Sequence, residues 1–415
     1  MVTTPLSHRD TLVIIEAPAK EKALAKILSK LGFGYDIAST SGHLTGFGKS
    51  LFPMAISRDF RPTGLQILKP EVYDRVTQAI GAHEHIIIAT DPDSEGHYIA
   101  NDVADICLEK GKSISRAFLY GMDTAHVSQA LNHLLEHDAE LAKPAARRRI
   151  VDRIISSSLS DLERGLYVGR VMTPTINRVA NSVQSTLPIQ SSRPFDGVEL
   201  VYHASAQLHI TPSETARAIQ SVYVKGRIAY HRSDSHRVTQ AASQSVGLSF
   251  GKSLPANNHA DLGVHPAPYP IGADLDLNMP LDACGLEDAI LMVDSRQWTG
   301  TPHESGTYKL EHHFMEAMHD LNLGRPSTIP FTADRLASGG LISPDGSLSP
   351  KGSAWVNQGS LLLDSAGIQV FNDWIANGGN LDECLESLGM MDVVHNQMAT
   401  SNTSDCESSL GCNFS

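Results

Sequence analysis

The sequence predicts a multidomain protein that begins with an α/β domain built on a mostly parallel sheet. Apolar runs alternate with amphipathic helical patterns up to about residue 137, as expected for strands connected by helices. From residue 138 the pattern is helical and basic, and after about residue 190 Ser, Pro, Gly and His are frequent between short β-like runs. These shifts predict a mainly helical domain and a small β-containing module beside the α/β domain.

The α/β domain is predicted over residues 1–137. Its strands are expected near residues 12–16, 34–40, 85–90 and 114–119, and its helices near residues 19–31, 95–111 and 124–136. The runs that start at Thr11 and His85 lack polar alternation, so these strands should be buried on both faces. Open α/β sheets bind ligands beyond the carboxyl ends of their strands, so residues that follow these runs are candidates for a site.

The rest of the chain divides by composition. Residues 138–188 and 284–355 are predicted to form the helical domain, with a helix over residues 307–323. Residues 189–283 are predicted to form the β-containing module, because runs such as VELVYHASAQLHI resemble strands. Residues 352–415 contain acids but no Lys or Arg, and residues 356–415 are predicted to be an acidic, weakly structured tail.

Composition is typical of a soluble, cytoplasmic protein. At 415 residues and 41% hydrophobic content the chain can bury a large core, yet no apolar run is long enough to cross a membrane. The first residues lack the apolar segment of a signal peptide. Five cysteines without a Cys-x₂-Cys pair argue against both a disulfide framework and a zinc ribbon.

Acidic residues follow two of the predicted strands. Asp91, Asp93 and Glu95 come directly after the run HIIIAT, and Glu16 follows TLVII. If these strands are neighbours, the carboxylates converge with Lys20 and offer the hard oxygen ligands that suit Mg²⁺. Taken singly, each acid could instead cap the helix that follows its strand. The cluster as a whole favours a Mg²⁺ site.

Several motifs resemble those of type IA DNA topoisomerases. VIIEAPAKEKALAKIL, TSGHLTGF and ATDPDSEGHYIA resemble the TOPRIM domain of that family. The matches continue in the family's order with RRRIVDRIISSSLS, VGRVMTPTINRV, IAYHRSDSHRVT, GVHPAPYPIG and LNLGRPST, and together they span most of residues 12–328. The resemblance implies a multidomain toroidal protein in which residues 189–283 form a shortened arch that carries the nucleophile.

The resemblance also implies an ATP-independent reaction on single-stranded or negatively supercoiled DNA. Tyr230 would attack a phosphodiester and stay joined to the 5′ phosphate while another strand passes, and Arg232 would hold the phosphate. Lys20 would protonate the departing 3′ oxygen, and Glu16 would act as an acid or base. A phenol has a pKa of about 10, so its attack requires deprotonation and charge neutralisation. Without the resemblance, Tyr230 would be an ordinary half-buried strand tyrosine.

Candidate DNA contacts are basic or imidazole side chains. The net charge of −13 is unfavourable for a nucleic-acid binder, but phosphate binding depends on local patches. One helical segment gathers several arginines, although the pairing of Arg148 with Asp152 would also suit a salt-bridged surface helix. With the matches to family residues added, the predicted DNA-binding residues are His43, Arg148, Arg149, Arg153, Arg170, His265 and Arg325.

The chain departs from the family pattern at three places. Ser94 and His97 stand where the family has Arg and an acid, and HPAPYPI replaces a segment that carries Glu and Arg. Only a short module separates Thr175 from Tyr230, where the family has much longer segments. The arch should therefore be small or incomplete, so strand passage could be slowed or lost while cleavage and religation persist.

Two alternatives remain open at the level of sequence. Other TOPRIM proteins share the acidic cluster without the tyrosine motif, so the chain could be a metal-dependent nuclease. It could also be a degenerate, non-catalytic DNA-binding accessory protein. Within the topoisomerases, the absence of zinc ribbons favours the topoisomerase III branch and a bacterial, phage or plasmid source. The protein is expected to be a monomer.

Overall fold

A four-stranded parallel sheet forms the first part of the fold. The computed structural model describes residues 10–181, 187–190, 193–238, 242, 266–272, 274–363 and 365–398. The sheet has the order β2-β1-β5-β6 and consists of β1 (Thr11–Ile15), β2 (Asp36–Ser39), β5 (His85–Ile88) and β6 (Ser113–Arg116). A separate antiparallel pair is formed by β3 (Thr45–Gly46) and β4 (Gln66–Ile67). The four predicted strands are confirmed, and β1 and β5 are neighbours.

Helices cover both faces of this sheet. They are α1 (Glu21–Leu31), α2 (Pro70–Ala82), α3 (Ser94–Glu109) and α4 (Thr124–Asn132). Side chains alternate along β1, so that Leu12 and Ile14 pack against α2 and α3, whereas Val13 and Ile15 join the core around α1 and α4. The two central strands are therefore buried on both faces, as predicted. Helix α2 is absent from the sequence-based prediction.

The remainder of the described chain is helical. In chain order the helices are α5 (Lys143–Leu159), α6 (Met172–Asn181), α7 (Gly197–Leu208), α8 (Pro212–Val224), α9 (Leu286–Thr299), α10 (Leu310–Asp320), α11 (Ile329–Ser338), α12 (Pro350–Gln358), α13 (Ser365–Asn377) and α14 (Leu381–Ser387). Helix α10 lies within the predicted range 307–323. No helix in the described residues is long and apolar enough to cross a membrane.

The strand expected in the segment VELVYHASAQLHI is wrong, because this segment forms most of α7. Asp196 caps the helix by accepting hydrogen bonds from the amides of Val198 and Glu199, and Glu199 completes a capping box. Residues on every side of α7 are buried, which explains why its sequence shows no helical periodicity. After Arg116 the described residues contain only isolated bridges, including Ile228 with Pro270. The β content predicted for residues 189–283 is therefore limited to that bridge in the described residues.

The weakly structured tail is also a wrong prediction for the described part of residues 356–398. Helices α13 and α14 bury Phe371, Ile375 and Leu385 in one core with Ile154 and Ile155 of α5. The prediction relied on the acidic composition and overlooked the apolar residues, which are spaced along two short amphipathic helices. Residues 399–415 lie outside the described chain, and the domain boundaries at 137, 188 and 283 stay predictions.

One hydrophobic core connects the sheet to the helical part. It contains Val13 and Ile15 of β1, Val201 of α7, Tyr223 of α8 and Phe314 of α10. The segment that carries Tyr230 lies in the same core.

Candidate active site

The predicted catalytic side chains meet at the carboxyl edge of the parallel sheet. Glu16 directly follows β1, and Asp91 and Asp93 lie three and five residues beyond the end of β5. Lys20 ends a short 3-10 turn that begins at Pro18, where the fixed φ of proline favours a helical start. The pairing of β1 with β5 therefore brings residues about 75 positions apart in sequence to one place.

Lys20 and Asp91 form a buried ion pair. The Lys20 ammonium donates a short hydrogen bond to the Asp91 carboxylate, and only 3% of Lys20 is exposed. Burial disfavours the charged form of Lys20, but the charge of Asp91 outweighs it and raises the pKa of the ammonium above its ordinary value. Burial likewise opposes ionisation of Asp91, yet Lys20 and Arg232 hold the pKa of that carboxyl below its usual value. Both groups are therefore charged at neutral pH.

Asp93 connects the start of α3 to the predicted nucleophile. One oxygen of its carboxylate caps α3 by accepting a hydrogen bond from the Gly96 amide at 2.8 Å. The other oxygen accepts a hydrogen bond from the Tyr230 hydroxyl at 2.6 Å. The backbone packs so tightly here that a Cβ on Gly96 would lie 1.9 Å from the Asp91 carbonyl oxygen. Glycine at position 96 therefore allows the turn that presents both aspartates.

Tyr230 is fully buried and is positioned by the backbone on both sides. Its amide donates to the carbonyl of Tyr120 at 2.8 Å, and the neighbouring Ala229 amide donates to Tyr269 at 2.9 Å. Burial, together with the negative charges of Asp93 and Asp91, raises the pKa of the Tyr230 phenol well above its ordinary value, and Arg232 opposes this shift. In this arrangement the phenol is neutral and acts as a hydrogen-bond donor.

Arg232 contacts both Asp91 and helix α8. Its guanidinium is 3.5 Å from the Asp91 carboxylate and donates a hydrogen bond of 2.9 Å to the amide oxygen of Gln220 in α8. The pKa of Arg232 is raised because Asp91 and Tyr230 outweigh the effect of burial. Gln220 is a residue that the sequence analysis missed, because a glutamine in an amphipathic helix gives no functional signal.

Glu16 provides the electrostatic evidence for a cation site. Burial, followed by the charges of Asp91 and Asp93, raises the pKa of Glu16 to about 8. Asp91 and Asp93 thus lie close enough to Glu16 for their charges to disfavour its ionisation. Oxygen donors of this kind fit a divalent cation, which would relieve their repulsion. Glu16, Asp91 and Asp93 are the residues that would hold it.

Glu95 differs from the prediction that it holds the metal. Its carboxylate forms an ion pair with Arg148 and accepts a hydrogen bond from His43, whose Nε2 lies 2.8 Å away. Burial and then the charge of Arg149 lower the pKa of His43 to about 4, so its imidazole is neutral. Within the described residues, the predicted acids do not bring three ligand atoms within 4.8 Å of one another. Glu95 thus pairs with Arg148 and His43 in this structure, and its role as a metal ligand stays a prediction.

Elsewhere in the described chain, ligand atoms of Asp196, Glu199 and His236 do lie within 4.8 Å of one another. The guanidinium of Arg193 already lies between two of them, because it donates to both Glu199 oxygens at 2.6 and 2.7 Å and contacts the His236 ring. His319 adds a second imidazole 3.5 Å from Asp196. We therefore interpret the group as an ion-pair network that joins α7 and α10 to the segment after Tyr230.

The predicted DNA-binding arginines fall into two groups. Arg148, Arg170 and Arg325 are close enough to affect one another's charge, and Asp93 lies near both Arg148 and Arg325. Burial and then Arg325 lower the pKa of Arg148 to about 9, and its Nη1 is a buried donor without a hydrogen-bond partner in the described structure. A cluster of cations with an unsatisfied donor fits an anion such as a DNA phosphate.

The second group consists of Arg149 and Arg153, which donate hydrogen bonds to backbone carbonyls. Arg153 is 7% exposed and donates to the carbonyls of Pro53 and Met54 at 2.8 and 2.9 Å, contrary to the expectation that it contacts DNA. Arg149 donates to the Thr45 carbonyl at 3.0 Å and covers the ring of Tyr98. The even spacing of charges along α5 cannot distinguish these buried arginines from Arg148. His265 lies outside the described residues.

A buried arginine, Arg116, lies near the two aspartates. Arg116, at the end of β6, donates to the carbonyls of Ile88 and Thr90 at 2.7 and 3.2 Å. Burial lowers its pKa to about 10, and the nearby Asp91 opposes that shift. Arg116 thus places a positive charge near the aspartates even though position 94 holds a serine. Sequence reasoning missed Arg116, because the strand Ser113–Arg116 contains two serines and shows no buried or functional pattern.

Comparisons with known proteins relate part of this chain to a domain family and to DNA topoisomerases. Residues 11–119 match the Toprim domain family. DNA topoisomerase 1 of Thermotoga maritima is 26% identical over 221 residues, which cover 51% of this chain and 34% of that protein. DNA topoisomerase 1 of Campylobacter jejuni is 23% identical over 220 residues, covering 50% of this chain and 30% of that protein. The matched segment thus spans about a third of the length of these relatives.

The likeness in three dimensions extends further along the chain. The solved structure of full-length topoisomerase I from Thermotoga maritima aligns with a TM-score of 0.67 and 18% identity, covering 94% of this chain and 90% of that one. Identity this low bears on the fold alone. The alignment includes the helical part as well as the parallel sheet. The chain therefore contains a Toprim domain of the topoisomerase kind and has the multidomain fold of the type IA DNA topoisomerases.

Proposed function

We propose that the chain is a DNA transesterase of the type IA topoisomerase class. It would cleave one strand of single-stranded or negatively supercoiled DNA through Tyr230, keep the 5′ phosphate as a phosphotyrosine, and reseal the break without ATP. The observation that carries this proposal is the hydrogen bond from the Tyr230 hydroxyl to Asp93, beside Lys20, Arg232 and Glu16. A structural tyrosine does not need a carboxylate acceptor surrounded by two cations.

The proton of Tyr230 has a defined route. Asp93 already accepts the hydroxyl hydrogen bond, so it is positioned to orient the phenol for attack and to draw the proton from it. The raised pKa of Tyr230 keeps the phenol protonated until a phosphate and its counter-charges arrive. Arg232 offers a planar pair of donors to the phosphate oxygens, and it is already held in place by Gln220.

The departing 3′ oxygen requires a proton, and Lys20 is the cation nearest to the aspartates. Glu16, with its pKa near 8, exchanges a proton near neutral pH and is a second candidate for this role. A bound Mg²⁺ at Glu16, Asp91 and Asp93 would supply a positive charge for the phosphodiester and its leaving group. Removal of divalent ions should therefore abolish cleavage.

DNA would enter along the arginine cluster. Arg148, Arg170 and Arg325 flank Asp93 and offer the unsatisfied donor of Arg148 to a phosphate. Arg170 is oriented by Asp152 at 2.8 Å and by Asn372 of α13 at 3.2 Å. Tyr230 has no exposed surface in this arrangement, so local movement of its segment must precede contact with a phosphodiester.

Covalent trapping tests the proposal. Purified protein, an end-labelled single-stranded oligonucleotide and Mg²⁺ are mixed, denatured rapidly and separated on a gel, with EDTA in a parallel reaction. We expect a labelled protein adduct that is lost with EDTA and in Tyr230→Phe. Tyr202→Phe is the matched control, because Tyr202 is an equally buried tyrosine on α7 and should leave the adduct intact. Cleavage that survives Tyr230→Phe would indicate a nuclease, and DNA binding without cleavage would indicate an accessory protein.

A further inference from the structure

Resting on the proposed function, we propose that Arg148 links DNA binding to metal binding. In the structure Arg148 pairs with Glu95, the one acid of the predicted metal site that lies within α3. A DNA phosphate takes the place of Glu95 on Arg148, and the released carboxylate then joins Asp91 and Asp93 as a ligand for a divalent cation. DNA and the cation therefore bind cooperatively at this site.

Two donors hold the Glu95 carboxylate in the structure. Arg148 forms an ion pair with one oxygen, and Nε2 of His43 lies 2.8 Å from the other. The imidazole is neutral, because burial and then the charge of Arg149 lower its pKa to about 4. Since a carboxylate only accepts, Nε2 carries the ring proton, and Nδ1 accepts from Arg149 at 3.3 Å. His43 is thus a neutral donor, and Arg148 supplies the charge that holds Glu95.

Glu95 lies within reach of the predicted metal ligands. It is the second residue of α3, and Asp93, two residues earlier, caps the same helix through the Gly96 amide. Beside the larger effect of burial, the charge of Asp93 acts on the pKa of both His43 and Arg148, so Asp93 lies near both partners of Glu95. The Glu95 side chain is 27% exposed and has room to turn. A change of rotamer therefore brings its carboxylate toward Asp93 without movement of the helix.

Arg148 is suited to a ligand with more oxygens than one carboxylate. Its Nη2 contacts Glu95, while Nη1 is a buried donor that has no hydrogen-bond partner among the described residues. Burial lowers the pKa of Arg148 to about 9, and the charges of Arg325 and Arg170 act in the same direction. A phosphate accepts from both nitrogens and also offsets the charge of Arg325. Arg148 therefore exchanges Glu95 for DNA.

The other aspartates of the predicted metal site are already engaged. Asp91 accepts a hydrogen bond from Lys20 and lies 3.5 Å from the Arg232 guanidinium. Asp93 accepts from the α3 backbone with one oxygen and from Tyr230 with the other. Mg²⁺ and Mn²⁺ take several oxygen ligands, so the site gains affinity when a further carboxylate joins it.

The exchange has a thermodynamic consequence that can be measured. If DNA raises the affinity for the cation by some factor, the cation raises the affinity for DNA by the same factor, because both express one coupling free energy. Such factors are commonly about 5 to 150, and we expect about tenfold here. Direct contact between a bound cation and DNA also gives cooperativity, but only the exchange through Arg148 makes it depend on Glu95.

The test measures binding in the full chain carrying Tyr230→Phe, so that the DNA stays intact. Mn²⁺ is titrated with electron paramagnetic resonance, which detects the free ion, with and without a single-stranded oligonucleotide, and binding to the oligonucleotide alone is subtracted. Fluorescence anisotropy gives the affinity for the labelled oligonucleotide with and without Mn²⁺ at constant ionic strength. We expect each ligand to tighten binding of the other about tenfold.

Glu95→Gln and Arg148→Gln, each added to Tyr230→Phe, break the exchange from its two ends. In Glu95→Gln no carboxylate is released, so we expect the two ligands to bind independently. In Arg148→Gln the Glu95 carboxylate is already released, so Mn²⁺ should bind without DNA as tightly as it otherwise binds with DNA. Arg147→Gln is the matched control on α5, because Arg147 donates to two backbone carbonyls at the end of α13 and should keep the coupling.

Cooperativity that persists in Glu95→Gln would overturn the inference, because the cation would then contact the DNA itself. Independent binding of Mn²⁺ and the oligonucleotide to the Tyr230→Phe protein would overturn it as well. Both results leave the proposed function intact, since adduct formation by the wild type is measured separately. Failure of both the wild type and Tyr230→Phe to bind the oligonucleotide would overturn the proposed function and the inference with it.

Discussion

The charges around Tyr230 decide whether this residue can act as a nucleophile. Asp93 accepts a hydrogen bond from its hydroxyl; burial, Asp93 and Asp91 raise the pKa of the phenol, and Arg232 opposes this shift. One Arg232 nitrogen contacts Asp91, and a second donates a hydrogen bond to Gln220, so the guanidinium is held between these two residues. Chemistry at this site therefore depends on the balance between two aspartates and a single positioned arginine.

Replacing Arg232 should affect the chemical step more than the fold. In Arg232→Gln we expect the rate of adduct formation to fall about 10²-fold, because charge on the phosphate is no longer neutralised in the transition state. Arg217→Gln is a matched control on α8, since Arg217 packs on the Phe331 ring away from the site. A rapid-quench time course measures both rates, and a rate near wild type in Arg232→Gln would contradict the role given to this residue.

His319 should make stability depend on pH. A hydrogen bond to Asp196 raises the pKa of His319 above its ordinary value of 6.5, and Glu199, Asp320, His236 and Arg193 are the other charged or titratable groups nearby. Stabilisation by the charged imidazole is thus fully present below the unfolded-state pKa and is lost as pH rises through the higher folded-state pKa.

We therefore expect His319→Gln to lower the melting temperature near pH 6 and to have little effect near pH 9. Thermal unfolding by circular dichroism across this range measures the difference. His395→Gln, at an exposed position on the C-terminal segment, should show no such trend. An equal loss at both pH values would show that His319 contributes through packing and not through its charge.

The turn between β5 and α3 is the element that carries the aspartates. A methyl group at Gly96 would meet the Asp91 carbonyl at 1.9 Å, so Gly96→Ala should displace both aspartates. Misplacement by about 1 Å can reduce a rate about 10²-fold, and we expect adduct formation to fall by this order. Gly81→Ala in α2 has open space around it and should stabilise the protein by about 0.5–1 kcal/mol. Normal cleavage by Gly96→Ala would contradict this account of the turn.

Helix α13 should be an integral part of the fold. Phe371 is 1% exposed in the core shared with α5, so Phe371→Ala should lower the free energy of unfolding by about 3–5 kcal/mol. Val370 is adjacent on the helix and 37% exposed, so Val370→Ala should change the free energy of unfolding by less than about 0.5 kcal/mol. Urea denaturation measures both. A loss of stability below about 1 kcal/mol in Phe371→Ala would indicate that this segment is only loosely attached to the core.

At the scale of the molecule, the sequence predicted the sheet and the site at its edge more successfully than the helical part. Strands such as His85–Ile88 are runs of buried β-branched residues followed by acids, and both signals are local. Helix α7 was missed because it is buried on all sides and so lacks periodicity. The direction of Glu95 toward Arg148 and His43, and of Arg153 toward the loop at Pro53, depends on contacts about 50–100 residues apart that no local pattern records.

The whole-molecule arrangement also explains why Tyr230 is buried. The core that contains Val13 continues through Tyr223 to Phe314, so the Toprim domain and the helical part support one site from both sides. Tyr230 lies at their junction, and its position depends on the loop after β6 as much as on its own segment. We therefore propose that the Toprim domain and the helical part together form a site for covalent catalysis by Tyr230.

Mapping the covalent bond tests this claim most directly. The protein is incubated with a single-stranded oligonucleotide and Mg²⁺, denatured, digested with trypsin and nuclease, and the nucleotide-bearing peptide is sequenced by mass spectrometry. We expect a nucleotide joined through its 5′-phosphate to Tyr230 in the wild type and in Tyr202→Phe, and no modified peptide in Tyr230→Phe. A nucleotide on any other residue, or cleaved DNA without a modified peptide, would contradict it.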